Sequence, residues 1–287
     1  MDADVAPVTV AASDYVTLAT TLLQRMRLAE PTGGVWEAAD VQWWSRQERA
    51  SDLDGQLFWL DQRGEPLAAV VRTDFGRSVQ CDVLVLPDDP EWQRSVWRTA
   101  IRKADDSEKA VEFPVRADAA ACIAELAAAG FHAADDAVVT SWLAAESRPA
   151  IRVLPPGYRL LSRADDKDRP HPLAKRNGQQ VEQRLRRCSL YRPELDLMVA
   201  APDGQAAGYG LFWADPVTGV GLVEPMRTEE AHQRLGIAAH VLATGLERLA
   251  DSGCHRFKVS NDIDLYLRAG FRPLRSATAA VYARAHR

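Results

Sequence analysis

Residues 221–238, with the sequence GLVEPMRTEEAHQRLGIA, form the most informative stretch of the chain. The pattern is typical of a strand that ends in a loop and leads into a helix. Gly236 and Ala238 leave little bulk at the helix start, where unpaired backbone N–H groups favour an anion. Gln233 and Arg234 add side-chain donors. The stretch therefore predicts a cradle for a pyrophosphate, and the alternative is an ordinary helix start packed on a sheet.

Two common phosphate-binding loops do not fit this stretch, because it has neither the G-x-x-x-x-G-K-[ST] nor the G-x-G-x-x-G spacing. Residues 233–238, QRLGIA, instead resemble the Q/R-x-x-G-x-G/A signature with which the GNAT superfamily of N-acetyltransferases binds the pyrophosphate of acetyl-CoA. About 28 residues further on, Asn261, Leu265-Tyr266 and Gly270-Phe271 resemble the N-x-x-…-L-Y-x-x-x-G-F ending of that family. The resemblance covers about residues 153–287, and residues 1–150 share only the order of elements.

The resemblance implies transfer of an acetyl group from acetyl-CoA to a primary amine, by direct attack through a tetrahedral intermediate. It implies no covalent acyl-enzyme and no metal, and the sequence shows no Cys–His or Ser–His pairing signal. A backbone N–H of residues 226–228 would hold the thioester carbonyl and stabilise the oxyanion. The positions that match the acetyl-CoA site are Met226, Arg227, Thr228, Gln233, Arg234, Leu235, Gly236, Ile237, Ala238 and Asn261.

Two residues are candidates for the proton transfers. Tyr266 matches the family tyrosine that protonates the leaving thiolate, and its alternative role is packing beside the Gly-Phe corner. Glu224 precedes the loop and could deprotonate the amine, directly or through water. It could also bind a cationic acceptor or lie in solvent. Asn261 and Tyr266 are five positions apart, where the family more usually has seven, and this departure bears on the role of Asn261.

The acceptor site is less specified by the sequence. Tyr191 and Arg192 lie in the region that shapes the acceptor pocket of the family, so they are the candidate substrate contacts. His232 adjoins the phosphate loop, and we expect it to contact the cofactor or solvent. The other histidines of the second half lack a partner pattern and are expected at the surface; they are His171, His240 and His255.

The first half has a similar order of elements but different residues at the corresponding places. When the two halves are aligned by their elements, Val96 corresponds to Gly236, Arg98 to Ala238 and Leu126 to Tyr266. Bulk at these positions would block close approach to the backbone, and the acidic residues Asp88, Asp89 and Glu91 would repel phosphate. We therefore expect a degenerate, non-catalytic GNAT-like domain.

Seven of the eight tryptophans lie in residues 1–150. Trp36, Trp43 and Trp44 could line an apolar or cationic pocket, although a place in the core or at an interface is the more common role of such residues.

The chain has 287 residues, a hydrophobic fraction of 47% and a charged fraction of 26%, which exclude disorder and a disulfide-dense miniprotein. Residues 147–157 are rich in turn formers and predict a linker. We expect an α/β protein, with mixed α+β sheets, of two tandem GNAT-like (acyl-CoA N-acyltransferase) domains: residues 1–150, degenerate, and residues 151–287, catalytic and binding acetyl-CoA. The last strand, near 278–283, is assigned to the second domain.

The net charge is −11 over residues 1–150 and +6 over residues 151–287, so only the second half suits an anionic ligand. The four cysteines lack metal-ligand spacing and are expected to be free thiols. No signal peptide or membrane span is recognised, which predicts a cytoplasmic protein that binds neither nucleic acid nor membrane. The acceptor is expected to be a small-molecule or protein amine, and the protein a monomer or homodimer.

Two other functions stay open from the sequence. One is a non-catalytic acyl-CoA-binding or regulatory module that keeps Gly236 and Ala238 but lacks a working acid and base. The other, a minor alternative, is acetylation of a small amine in the manner of mycothiol synthase, which has a similar tandem layout.

Overall fold

The computed structural model describes residues 6–53, 55–86, 89–274 and 278–284. The contacts within it divide the chain into two units. The first unit comprises residues 1–44, 48–139 and 274–287, and the second comprises residues 45–47 and 140–273.

The first unit is built on a seven-stranded mixed sheet with the strand order β1-β2-β3-β4-β5-β14-β6. Neighbouring strands are antiparallel except for the parallel pair β4 and β5. The elements of this unit are β1 Val8–Val10, α1 Ala12–Ala29, α2 Ala38–Trp44, β2 Gln56–Leu60, β3 Pro66–Asp74, β4 Ser78–Val85, α3 Pro90–Ala104, β5 Ala110–Arg116, α4 Ala120–Ala128, β6 His132–Val138 and β14 Ala279–Arg284.

The second unit has its own seven-stranded mixed sheet, with the order β13-β7-β12-β11-β10-β9-β8. Its one parallel pair among the described strands is β11 with β12. The elements are β7 Ser141–Ala144, β8 Arg159–Ser162, α5 Ala174–Asn177, α6 Val181–Leu185, β9 Asp196–Ala200, β10 Ala206–Asp215, β11 Val220–Thr228, α7 Ile237–Asp251, β12 Arg256–Val259, α8 Asp264–Arg268 and β13 Arg272–Pro273.

Both sheets depart from the domain boundaries predicted from the sequence. The break that corresponds to the predicted linker falls between Val139 and Thr140, and not within residues 147–157, because β7 pairs with β12. The last strand, β14, does not follow the second unit as predicted. It pairs with β5 on one side and β6 on the other, so it completes the sheet of the first unit. Each unit therefore contains a strand that lies beyond its expected boundary.

Small residues bring α7 close to the sheet of the second unit. A Cβ atom added to Gly245 would lie 2.1 Å from the ring of Phe212, and one added to Gly210 would lie 2.9 Å from Val241. Phe212 is fully buried. The core between α7 and the sheet is therefore packed without spare volume, and this fixes the start of α7 relative to the end of β11.

None of the helices in the described ranges combines the length and apolar character that a membrane span requires.

Candidate functional site

The end of β11 is separated from its parallel neighbour. β11 and β12 pair over Val220–Leu222 and Arg256–Lys258, and β11 then continues to Thr228 beside β10 alone. Alternate residues of a strand present their N–H and C=O groups to opposite sides. The segment 223–228 therefore offers backbone hydrogen-bonding groups on its open side.

A β-bulge bends β11 within this segment. Glu224 and Pro225 together stand opposite Leu211 of β10, because the register shifts between Gly210–Met226 and Phe212–Val223. The indole N–H of Trp213 donates to the carbonyl oxygen of Glu224 at 2.8 Å. This bond fixes the bulge at the candidate base.

The loop that follows β11 ends in a left-handed turn at the start of α7. Gly236 is the N-cap residue with φ +80°, and Arg234 has φ +62°. Glycine adopts this region without the strain that a Cβ would introduce. A Cβ at Gly236 would meet no heavy atom within 4 Å, and no side chain caps the helix. The first N–H groups of α7 therefore face open space.

A cavity of about 420 Å³ lies in front of this helix start. Of the residues predicted to bind acetyl-CoA, those that line it are Thr228, Gln233, Arg234, Gly236, Ile237 and Ala238. The hydroxyl Oγ1 of Thr228 is buried and has no hydrogen-bond partner among the described residues. An open N–H cradle beside an orphaned hydroxyl fits the pyrophosphate and pantetheine groups of acetyl-CoA.

Two basic residues of this cavity were missed by the sequence analysis. Arg152 and Arg268 line it together with Arg234. Arg152 comes from the segment predicted as a linker, and Arg268 from α8, so no local motif connects them. The positive charge of the second half was the one sequence signal that could have indicated them. Arg268 forms an ion pair of 2.9 Å with Asp264, which also lines the cavity, so the positive charge there comes mainly from Arg152 and Arg234. These guanidinium groups suit a ligand with several phosphate charges.

Acidic charge near the loop is neutralised. Arg176 donates to both carboxylate oxygens of Glu229 at 3.0 and 3.2 Å, and Arg227 approaches the same carboxylate at 3.5 Å. The hydrogen bond from Arg176 is the largest cause that lowers the pKa of Glu229. Glu229 is therefore ionised but paired, and its repulsion of an anionic ligand is reduced.

Four of the predicted acetyl-CoA residues lie outside the lining of the described cavity. Met226 is half-buried on the hydrophobic core, whereas Arg227 and Leu235 are exposed. Asn261 is also exposed, and its side chain accepts a hydrogen bond from the N–H of Ile263 at 3.0 Å. The side chain of Asn261 thus supports the turn before α8, and its contact with acetyl-CoA stays a prediction.

Tyr266 and Glu224 interact electrostatically at the separated strands. Tyr266 is 6% exposed, and its ring makes an edge contact with Phe271 at a centroid distance of 5.8 Å. Burial raises the pKa of Tyr266, and the carboxylate of Glu224 raises it further. Glu224 itself is half-buried. The pair thus combines a phenol that holds its proton with a carboxylate, which are the groups that an acid and a base require.

The candidate acceptor residues lie in different environments. Arg192 is exposed. Tyr191 is 8% exposed, and its hydroxyl donates to Oδ2 of Asp196 at 2.8 Å. Burial and the Asp196 carboxylate raise the pKa of Tyr191. Its role as an acceptor contact stays a prediction.

His171 corrects an expectation, because it is 6% exposed and not at the surface. Its Nε2 lies 2.8 Å from the same Oδ2 of Asp196, and its Nδ1 accepts the N–H of Leu173 at 3.1 Å. Asp196 is 25 positions away, so no local pattern indicates this partner.

His232 lines the cavity beside Gln233 and Arg234, and its contact with the cofactor or solvent stays a prediction. Its Nδ1 lies 2.9 Å from the hydroxyl of Tyr158. Tyr158 thereby orients the imidazole.

The helix start of the first unit is capped where that of the second is open. The carboxylate of Asp89 accepts the N–H groups of Glu91 and Trp92 at 2.9 and 3.4 Å. Pro90 begins α3, so the cap residue that corresponds to Gly236 is Asp89. The predicted register was wrong here, since Val96 lies buried inside the helix. Asp88 lies outside the described residues. A carboxylate that occupies the first N–H groups disfavours a phosphate.

Among the described residues, no group of three or more histidine, cysteine, aspartate or glutamate side chains is arranged to hold a metal ion. All four cysteines are free.

A mixed sheet whose two parallel strands separate, followed by a helix that begins after a glycine, is the arrangement of the acetyltransferase fold known as GNAT. Residues 158–271 match the Acetyltransferase (GNAT) family. The second unit therefore carries a domain of that family, as its loop sequence predicted. No curated protein matched the sequence.

Solved structures extend the likeness to both units. A tandem GNAT protein from the clavulanic acid biosynthesis pathway, determined without acetyl-CoA, is 16% identical and has a TM-score of 0.66 over 98% of each chain. A GCN5-related N-acetyltransferase from Sphaerobacter thermophilus is 14% identical, with a TM-score of 0.58 over 98% of this chain and 96% of that one. Another, from Kribbella flavida, is 15% identical, with a TM-score of 0.51 over 86% and 93%. The tandem GNAT fold predicted from the sequence is thus confirmed.

Proposed function

We propose that the second unit is an N-acetyltransferase that uses acetyl-CoA to acetylate a primary amine by direct attack. The observation that carries this proposal is the open start of α7 at Gly236, which faces a cavity of about 420 Å³ lined by the predicted loop. The family match over residues 158–271 supports the same class of reaction.

The residues that would hold acetyl-CoA follow from this geometry. The first N–H groups of α7, with Gln233 and Arg234, would bind the pyrophosphate, and the open edge of residues 223–228 would bind the pantetheine arm. Acetyl-CoA supplies the activated acetyl group. A preorganised backbone N–H at this edge would stabilise negative charge on the acyl oxygen, a contribution worth about 2.7–4 kcal/mol for one donor in other enzymes.

Glu224 and Tyr266 would move the protons. Glu224 would accept the proton of the attacking ammonium, directly or through water, and Tyr266 would donate its phenolic proton to the leaving thiolate. Burial and the carboxylate of Glu224 raise the pKa of Tyr266, so the phenol carries its proton across the neutral range until the thiolate leaves. The half-buried position of Glu224 supports contact with both water and an amine.

The proposal is tested by two measurements on the full chain. A thermal-shift titration with acetyl-CoA and longer acyl-CoAs measures binding, because a ligand of the native state stabilises it by mass action. Thiol release from acetyl-CoA is then followed with a panel of small amines and lysine peptides, for the wild type and for Glu224→Gln.

Binding together with amine-dependent thiol release that falls in Glu224→Gln is the expected result. Binding without turnover on any amine would favour the non-catalytic acyl-CoA-binding module. If no acyl-CoA binds, both the acetyltransferase and the non-catalytic acyl-CoA-binding module are excluded.

A further inference from the structure

A second cavity lies within the first unit, which is expected from the sequence to be degenerate and non-catalytic. Its volume is about 340 Å³, which is within the range of small-molecule sites. Its lining includes Met26 of α1, Trp36, Asp82 of β4, Trp97 of α3 and Cys122 of α4. Most of the remaining lining is apolar, so the cavity combines an apolar wall with one deeply buried carboxylate.

The cavity lies where the parallel strands of this sheet separate. β4 and β5 pair over Ser78–Gln80 and Ala110–Glu112, and β4 then continues to Val85. Asp82 stands two residues beyond the last pair, and Glu224 stands two residues beyond the last pair of β11 and β12. The first unit therefore keeps a carboxylate at the position of the candidate base.

Asp82 is held firmly but has no cationic partner among the described residues. It is 2% exposed, and its Oδ1 accepts the indole N–H of Trp36 at 2.7 Å. The side-chain amide of Gln80 donates to both oxygens at 3.0 and 2.9 Å. Burial raises the pKa of Asp82 to about 7, and the charge of Asp40 adds to the rise. A carboxylate in this setting would gain from a positive charge.

The two arginines of the cavity are already neutralised. Arg27 donates through Nε to Glu37 at 3.0 Å, and Arg116 forms ion pairs of 2.7 Å with both Glu30 and Asp118. The carboxylates around the cavity thus outnumber its cations. Trp36 lies beside the carboxylate because its indole N–H donates to it, and the ring forms part of the cavity wall next to Asp82.

We propose that this cavity binds a small primary ammonium compound with an apolar body. The ammonium group pairs with Asp82, and the body packs against the apolar lining formed by Met26, Trp36 and Trp97. The site is independent of the function proposed for the second unit, and it takes a different ligand from acetyl-CoA.

Cys122 provides a local readout. It is half-buried and lines the cavity, whereas the other three cysteines are buried. The rate of its alkylation by N-ethylmaleimide, followed by peptide mass spectrometry, therefore reports occupancy of this cavity. The probes are butylamine, cyclohexylmethylamine and phenethylamine, each compared with the alcohol of the same skeleton. The proteins are the full-length wild type, Asp82→Asn and Glu224→Gln, the last as the matched control that removes the corresponding carboxylate of the second unit.

At least one amine is expected to slow the alkylation of Cys122 several-fold in the wild type, with its alcohol at least tenfold less potent. Asp82→Asn should lose this protection, and Glu224→Gln should keep it, whether or not the second unit acetylates amines. Calorimetry with Cys122→Phe, which fills the cavity and leaves Asp82 in place, should show no amine binding to the first unit. If Asp82→Asn does not fold, Cys122→Phe still tests whether the amine binds in this cavity.

The apparent affinity should rise as the pH rises through 7, because Asp82 then ionises while the amine remains protonated. The other titratable and charged groups around the cavity and Asp82 are Arg27, Glu30, Glu37, Asp40, Cys81, Arg116, Asp118 and Cys122. Equal protection by amine and alcohol, undiminished protection in Asp82→Asn, or no protection by any amine at millimolar concentration would each overturn the proposal.

Discussion

Leu126 and Tyr266 occupy the same position in their respective units. The carbonyl oxygen of each accepts the N–H of the phenylalanine five residues later, Phe131 or Phe271, at 3.0 Å. Each of these turns passes through a glycine with positive φ. Both side chains are buried, but only Tyr266 carries a hydroxyl. The comparison isolates the phenol as the feature that the second unit has and the first lacks.

Tyr266→Phe should lower kcat by about 100- to 10,000-fold, the usual contribution of a positioned acid. The Kd for acetyl-CoA should stay the same, because Phe keeps the burial and the contact with Phe271. Steady-state thiol release measures kcat, and calorimetry measures Kd. Tyr282→Phe, in β14 of the first unit, is the control and should have wild-type kcat. A kcat of Tyr266→Phe within threefold of the wild type would exclude the acid role.

Gly236→Glu should abolish the thermal shift by acetyl-CoA, since the new side chain brings a negative charge and bulk to the open helix start. Gly253→Glu is the matched control, because Gly253 also has positive φ, at +88°, and open space around its Cβ position. Both variants should lose about 1–2 kcal/mol of unfolding free energy from the left-handed backbone. Retention of the shift in Gly236→Glu, or its loss in Gly253→Glu, would contradict the cradle.

Tyr191→Phe distinguishes a structural from an acceptor-binding role. The hydroxyl bonds to buried Asp196, so its loss should cost about 1.5–3 kcal/mol of unfolding free energy. KM for the acceptor amine should rise only if the hydroxyl also contacts that substrate. Chemical denaturation and steady-state kinetics measure the two effects, and exposed Arg192→Ala serves as the comparison at the neighbouring position. Unchanged stability with a raised KM would assign Tyr191 to acceptor binding alone.

Truncation after Pro273 should destabilise the first unit, although the deleted residues are the last in the chain. It removes β14, which pairs with Val111–Arg116 of β5 and with β6. Amide hydrogens of residues 110–116 and 132–138 should then exchange faster, as hydrogen-exchange mass spectrometry would reveal. A chain that ends at Arg284 is the control. Unchanged protection of both strands would argue against the observed pairing.

Asp82 should make the first unit less stable as the pH rises from about 4 to 7. Its pKa is about 7 in the folded protein and about 4 in an unfolded chain, so the native state binds the extra proton in this window. Stability is therefore fully present below pH 4 and declines until pH 7, by an amount on the order of a few kcal/mol. Asp82→Asn should flatten the decline, as urea unfolding across this range would measure. Parallel pH profiles for the wild type and the variant would refute this assignment.

The sequence predicted the local elements well where a short pattern specifies them. The apolar residues of Ala12–Ala29 recur at helical spacing, which predicts α1, and Gly64 and Pro66 predict the turn between β2 and β3. The exposed strand β6 begins at His132, where the sequence HAADD lacks the apolar alternation that predicts a strand. The register of the first unit failed at Val96, because Asp89 and Pro90 start the helix seven residues earlier than the alignment with Gly236 requires.

The sequence by itself determined that a helix begins after Gly236, because a glycine at a helix start reflects local backbone geometry, and its resemblance over residues 233–271 indicated the GNAT fold. The tertiary structure alone decided that β7 pairs in the sheet of the second unit and β14 in the sheet of the first. It also decided the electrostatic interaction of Tyr266 with Glu224 and the burial of Asp82 in a cavity. Those features arise from strand pairing and desolvation between distant segments, and no spacing along the chain encodes them.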